Sequence, residues 1–187
     1  MSGINLLSTD SLPTDAISFT KTSIFNTDFK LYQVVFSNVN FASDGTSGDN
    51  GNLLMTLTVG GTEDTDAADY TSMFIRGSQG FDEADNHTLT TVGWRLNQES
   101  LGGTAGPQGQ RWSGYMYIYG SQESRVTQMT GRAQTGSGTD SGDSNGGQQA
   151  WLQGCYEQTG VVDGFKLANS NGSKNFLTGK VSVYGIS

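Results

Sequence analysis

The chain has one histidine, His87, and one cysteine, Cys155, which are residue types that commonly act as base and nucleophile. A hydrolytic triad needs a histidine within hydrogen-bond reach of its nucleophile. The sole histidine lies in a polar stretch (DNHT, residues 85–88) that is typical of a solvated loop. Cys155 lies in a strand-like run with no cationic neighbour that would favour the thiolate. We therefore expect a solvated histidine, a buried inert thiol and no catalytic pair.

Carboxylates are the remaining groups that could support catalysis or hold a metal. Two acidic clusters occur in turn-like sequence: Glu63, Asp64, Asp66, Asp69, and then Asp82, Glu83, Asp85. A glycosidase holds two carboxyls at a fixed separation, and zinc needs three or four ligands. The loops at 44–52 and 140–146 contain calcium-type ligands but do not follow the D-x-[DN]-x-[DN]-G pattern. We expect solvated loop acids, no enzyme activity, no cofactor and no metal site; a polysaccharide-cleaving enzyme and a weak calcium site stay open as alternatives.

The charge of the chain argues against nucleic acids and membranes as partners. Ten basic residues stand against eighteen acidic ones, which gives a net charge of −8. Phosphate contacts need clustered Lys and Arg, and here the basic residues are scattered. The glycine-rich runs at 77–80 and 102–106 lack the lysine and helix of a phosphate-binding loop. A single cysteine, no signal peptide and no long apolar run predict a soluble protein made in a cytoplasm.

Apolar residues recur with a period of two, which is typical of β-strands. Residues 53–59 and 181–184 alternate in this way, and residues 115–119 place tyrosines on one face and aliphatic side chains on the other. Residues 31–36 are apolar on both faces, which predicts a strand buried on both sides. Further strands are predicted over residues 16–19, 70–75, 92–96, 126–132, 149–157 and 161–167. One helical turn is predicted within residues 64–70.

About eight to ten such strands, with no helical periodicity, predict an all-β fold. The number of strands and the long loops rich in Gly and Ser, such as 43–52 and 135–147, favour an antiparallel, jelly-roll-like β-sandwich. An up-and-down barrel is the alternative, because periodicity does not separate the two. No change of composition marks a second domain, so residues 16–187 are expected to form a single β-sandwich domain.

Residues 1–15 differ from the rest, because they are polar with isolated leucines at Leu6, Leu7 and Leu12 and a break at Pro13. They are either a frayed terminus or short strand on their own domain, or an extended arm that pairs with a neighbouring subunit. We carry the arm forward as the domain prediction, with the three leucines as candidate interface residues.

The aromatic residues are the other candidates for contact. Trp112, Tyr115, Tyr117 and Tyr119 are expected to fill the core or a subunit interface, since aromatic rings dominate the energetics of both. The same rings, with Trp94 and Trp151, are also suited to stacking on sugars. The sequence leaves these alternatives open.

The C-terminal residues 162–167 (VDGFKL) and 175–186 (NFLTGKVSVYGI) are close to a pattern that ends G-x-[VI]-x-[LV]-Y-G-[IL]. This signature resembles that of a group of virion proteins of tailed phages. Residues 17–19 (ISF), 32–39 (YQVVFSNV) and 53–57 (LLMTL) resemble the same group, while residues 60–150 do not match it. In the signature, Gly164 and Gly179 are expected to permit turns. The resemblance implies a small β-sandwich mounted on a virion, on the capsid or in the tail.

The resemblance and the lack of chemistry together favour a structural role. We expect a capsid decoration (cement) protein that stabilises the outer shell, acts as a homo-oligomer, preferably a trimer, and contacts the major capsid protein or other virion proteins. The alternative is a tail-fibre or receptor-binding module that recognises host surface glycans. We expect the protein on the virion, on the outer capsid rather than the tail, after synthesis in the host cytoplasm.

Overall fold

The computed structural model consists of antiparallel β-strands and describes residues 3–42, 53–77, 87–89, 92–96, 111–123, 126–136, 148–158, 160–170, 172 and 174–187. The strands in this part of the chain are β1 (Ile4–Ser11), β2 (Ser18–Lys21), β3 (Leu31–Phe41), β4 (Leu53–Val59), β5 (Thr62–Glu63), β6 (Tyr70–Gly77), β7 (His87–Leu89), β8 (Trp94–Arg95), β9 (Arg111–Tyr119), β10 (Thr127–Gly136), β11 (Gln148–Tyr156), β12 (Val162–Asn169) and β13 (Phe176–Ile186). A 3₁₀ turn at Ala67–Asp69 precedes β6, where one helical turn is predicted.

The strands form two sheets. The larger sheet has eight described strands in the order β1-β13-β3-β9-β10-β11-β6-β7, with β9, β10 and β11 as a central meander. The smaller sheet has the order β2-β12-β4-β5, and β8 also pairs with β4. The predicted antiparallel β-sandwich is confirmed, and the separate sheets rule out a single barrel. The strands outnumber the predicted eight to ten, because β5 and β7 are too short to give a periodic signal and β1 lies in the residues that were carried forward as an arm.

The core lies between the sheets and is filled by alternate residues of the long strands. From the larger sheet, Val34 of β3, Ile118 of β9 and Val183 of β13 point inward; Leu57 and Phe165 come from the smaller sheet. All five have essentially no exposed surface, and burying each side chain stabilises the fold by about 1.5–3 kcal/mol. The largest fully buried side chains are Trp94, Trp112, Tyr32, Tyr70, Tyr156, Phe36, Phe41, Phe165, Phe176, Leu53 and Met55.

Over residues 31–36, strand β3 is buried on one face only. Its inward residues are fully buried, whereas Leu31 and Val35 on the other face are half-buried. The prediction of burial on both faces was wrong, because no described segment covers the outer face of the larger sheet. These outward apolar residues therefore belong to a surface.

Gly164 and Gly179 lie within strands, so the prediction that they permit turns was wrong. A side chain at Gly164 would run into the backbone carbonyl of Lys21 on the neighbouring β2, and glycine permits this close approach. Gly179 has φ of +149° at an irregularity in the β13–β3 pairing, and a Cβ there would lie 2.7 Å from Leu12 Cδ1. Both glycines are needed for strand packing.

Residues 4–11 form an edge strand of the larger sheet, antiparallel to β13, and thus occupy a position on their own domain. The pairing is irregular between Leu6 and Ser8, where one extra residue, Leu7, is inserted. A contact of this strand with a neighbouring subunit stays a prediction. No helix in the described ranges is long and apolar enough to cross a membrane.

Candidate binding surface

The acids of the first predicted cluster are engaged in the fold. Glu63 accepts hydrogen bonds from Lys166 Nζ at 2.6 Å and from Thr56 Oγ1 at 2.8 Å. Asp66 caps the 3₁₀ turn, and Asp69 accepts a bond from Gln158 at 2.6 Å. The second cluster, at 82–85, lies outside the described residues. Within the described ranges, no three His, Cys, Asp or Glu side chains come together to hold a metal ion.

Asp64 is the centre of a hydrogen-bonded network with two tyrosines. The hydroxyl of Tyr156 donates to Asp64 Oδ2 at 2.6 Å, and the hydroxyl of Tyr70 donates to the Asp64 carbonyl at 3.1 Å while accepting from the Leu57 amide at 2.9 Å. Burial raises the pKa of both phenols, and the bond to Asp64 raises that of Tyr156 further. The carboxylate is thus held by neutral donors in a structural network.

The two residues considered as catalysts lie on separate strands of the larger sheet. Cys155 is half-buried in β11 and points to the outer face, beside Gln128 of β10 and Thr71 of β6 in the pairing register. His87 begins β7, and its side chain lies outside the described structure. The expectation that the thiol is fully buried was wrong, since its face of the sheet is open.

The outer face of the larger sheet carries side chains in rows that cross the strands. Three such rows cross from β1 to β11, and each contains one tyrosine of β9: Tyr119 in the first row, Tyr117 in the second and Tyr115 in the third. The first row is Ile4, Ile186, Leu31, Tyr119, Gln128 and Cys155. The second is Leu6, Tyr184, Gln33, Tyr117, Thr130 and Gln153. The third is Thr9, Ser182, Val35, Tyr115, Arg132 and Trp151.

A ladder of tyrosines runs along β9 through these rows. The rings of Tyr115 and Tyr117 are 5.6 Å apart at 71°, and those of Tyr117 and Tyr119 are 6.4 Å apart at 47°. Gln33 on β3 donates a hydrogen bond to the Tyr117 hydroxyl at 3.3 Å. These contacts hold the rings in place without covering them, as Tyr119 keeps 39% of its surface exposed.

An open groove of about 440 Å³ lies beside the ladder, across β9, β10 and β11. Its lining includes Val35, Tyr115, Arg132, Gln134, Gln149 and Trp151. The indole of Trp151 is 51% exposed, and the Arg132 guanidinium lies 4.7 Å from the centre of its ring. Aromatic rings and amide side chains are therefore presented together on a rigid sheet.

The charge of this face is opposite to that of the chain. The groove and its surroundings carry Arg132, Arg111 and Lys180. No described outward position of β1, β13, β3, β9, β10 or β11 holds Asp or Glu, although the chain has a net charge of −8. Asp10 of β1 instead forms an ion pair of 2.9 Å with Lys21 of the other sheet.

A second apolar surface lies at the β1 edge of the same face. It comprises Ile4, Leu6, Leu31, Tyr184 and Ile186, which we call the corner patch. Ile4 is 65% exposed and Leu6 is 59% exposed. β1 has a partner on one side only among the described strands, so its other side presents backbone groups to which a strand can pair.

The predicted interface residues divide between core and surface. Leu12 is buried in the core, which corrects its prediction as an interface residue. Trp112 is also buried in the core, which is one of the two alternatives that the sequence left open for it. Leu7 is half-buried against the core, whereas Leu6 is exposed.

The tyrosines predicted as core or interface all lie on the open face, with Tyr115 and Tyr117 half-buried. Trp151 was weighed in the sequence as a stacking residue, whereas Arg132 and Gln149 were missed. The signal for Gln149 was the alternation of residues 149–153 (QAWLQ), in which Leu152 points inward.

No family model, curated protein or solved structure matches this chain.

Proposed function

We propose that this protein is a structural protein of a tailed-phage virion, a capsid decoration protein that acts by binding and carries out no reaction. The corner patch on the edge strand β1 is the observation that supports the proposal most. Exposed apolar residues beside an unpaired strand edge form a surface that a second chain can cover by strand pairing. The resemblance of the C-terminal residues adds the virion setting, and a homo-oligomer, preferably a trimer, fits this edge.

The exposed side chains of Ile4 and Leu6 give the energetic reason why a partner would bind the corner patch. Covering one such side chain contributes about 1.5–3 kcal/mol, which corresponds to roughly 10- to 100-fold in affinity. Repetition over the copies of an oligomer multiplies this effect by avidity. A shell is then stabilised by many equal contacts with capsid proteins.

The proposal is tested on virions. Particles that lack the protein are mixed with purified full-length chain, and cryo-electron microscopy and thermal release of the genome report where it binds and what it stabilises. L6D is expected to lower occupancy at least 10-fold. V161D is the matched control, because Val161 is also an exposed apolar residue (46%) but lies outside the corner patch. Density on the tail alone, or equal occupancy of both variants, would contradict the proposal.

A second candidate function is recognition of host surface glycans. The groove beside the tyrosine ladder favours it, because exposed rings offer stacking faces and the glutamine side chains offer both donors and acceptors for hydroxyl groups. A panel of glycans tested against the purified chain checks this function; a W151A variant is expected to lose binding, while V161D keeps it.

A further inference from the structure

We infer that the groove between Tyr115 and Trp151 takes a carboxylate-bearing glycan, with the acid group on Arg132. The inference rests on the second candidate function and names the class of sugar that the groove prefers. Three observations carry it: the position of the guanidinium, the lack of acidic side chains at the described outward positions of the surrounding strands, and the neighbouring stacking and amide groups.

Among the described residues, no hydrogen bond or ion pair occupies the donors of Arg132, so they can serve a ligand. The guanidinium lies over the Trp151 ring at 4.7 Å, and the structure gives no carboxylate within ion-pair distance of it in the described ranges. A guanidinium held by stacking keeps its planar edge of N–H groups available. That edge matches the two oxygens of a carboxylate, and such charge-assisted pairs are stronger than neutral hydrogen bonds.

The side chains around Arg132 determine which charge a ligand of the groove carries. Among outward positions of the described central strands, the charged side chains are basic, while the remaining ones are tyrosines, glutamines, one tryptophan, one serine, one threonine and one cysteine. A phosphate-rich polymer would need several clustered cations, and the groove itself contains one. One carboxylate per bound sugar, with the sugar ring against Trp151 or Tyr115 and its hydroxyls on Gln134 and Gln149, uses the charged, aromatic and amide side chains that line the groove.

The experiment compares acidic glycans with their own neutral forms. Immobilised uronic-acid and sialic-acid glycans, and the same glycans with the carboxyl group reduced to an alcohol, are titrated with the full-length protein. Binding of the acidic form at least 10-fold tighter than its reduced form is expected. Equal binding of both forms would leave glycan recognition standing and overturn the inference. No binding to either form would overturn both.

Paired charge variants separate a specific site from general attraction. R132Q and K180Q remove the same charge from the same sheet face, but Lys180 lies on β13, three strands away from Arg132 on β10. R132Q is expected to weaken binding of the acidic glycan about 10- to 100-fold, and K180Q less than about threefold. Equal losses would show non-specific electrostatics and refute the site. W151F keeps a stacking ring and is expected to retain more binding than W151A.

Discussion

Strand β9 offers a direct test of which face of the larger sheet is open. Ile118 and Tyr119 are neighbours in the sequence, so they point to opposite faces of the sheet. Ile118 has no exposed surface and lies among the core residues, whereas Tyr119 is 39% exposed and has one ring contact, with Tyr117 at 6.4 Å. We compare I118A with Y119A.

The expected losses of stability follow from these surroundings. Truncating a fully buried isoleucine to alanine removes its transfer energy and leaves a cavity, which costs about 2–5 kcal/mol. Truncating Tyr119 loses its ring contact with Tyr117, about 0.5–1.5 kcal/mol, and the burial of the covered part of its ring, but it leaves no closed cavity because the ring is open to solvent. I118A is therefore expected to lower the free energy of unfolding more than Y119A, although isoleucine is the smaller side chain. For a domain of this size, 1 kcal/mol corresponds to about 2–4 °C in melting temperature.

Urea and thermal unfolding of the two variants, each with the wild type in parallel, measure these losses. The midpoints are expected to shift while the slope of the urea transition stays constant, which shows that stability alone has changed. A loss for Y119A as large as that for I118A would mean that Tyr119 is covered in solution. That result would refute the open face and with it the groove as a free site.

Two further predictions concern the fold. Tyr70 and Tyr156 have a raised pKa in the fold, so the stability that they contribute is present below the unfolded pKa of about 10 and is lost as the pH rises toward the folded value, by at most about 1.4 kcal/mol per pH unit for each tyrosine. Between pH 9 and 11.5, the free energy of unfolding of Y156F is therefore expected to fall less steeply with pH than that of the wild type. Equal slopes would contradict the raised pKa of Tyr156. G164A places a methyl group against the Lys21 carbonyl and is expected to lower the free energy of unfolding in urea by about 1–3 kcal/mol. The control G3A places its methyl group in open space and is expected to leave stability unchanged. A G164A variant as stable as the wild type would contradict the close packing of β12 on β2.

The period-two pattern was sufficient to predict the faces of the long strands. Met116 and Ile118 point inward and the tyrosines outward, as alternation predicts. The same rule places Trp112, an even number of residues from Met116, on the inner face, so its burial was readable from the sequence. Grouping it with the tyrosines followed residue type rather than spacing, and this left core and interface open as alternatives for Trp112.

Leu12 was misassigned for a different reason. Leu6 and Leu12 are six residues apart and would share a face in a regular strand. The inserted residue Leu7 shifts the register, so that Ser8 pairs with the inward Val183 while Leu6 pairs with the outward Tyr184. A β-bulge of this kind depends on the partner strand and leaves no local signal. The pairing of Arg132 with Trp151 was equally hidden, because the register of β10 and β11 is set by contacts along both strands.

The two binding surfaces are compatible with one molecule on a virion. The corner patch lies at β1 and the arginine of the groove lies on β10, four strand spacings away, or about 19 Å. A partner that pairs with β1 and covers the corner patch thus leaves room for a sugar at the groove. If both proposals hold, L6D removes the protein from capsids without weakening its binding of acidic glycan, and R132Q does the reverse. The corner patch would then attach the protein to the capsid, while the groove on the same sheet face would bind host glycans.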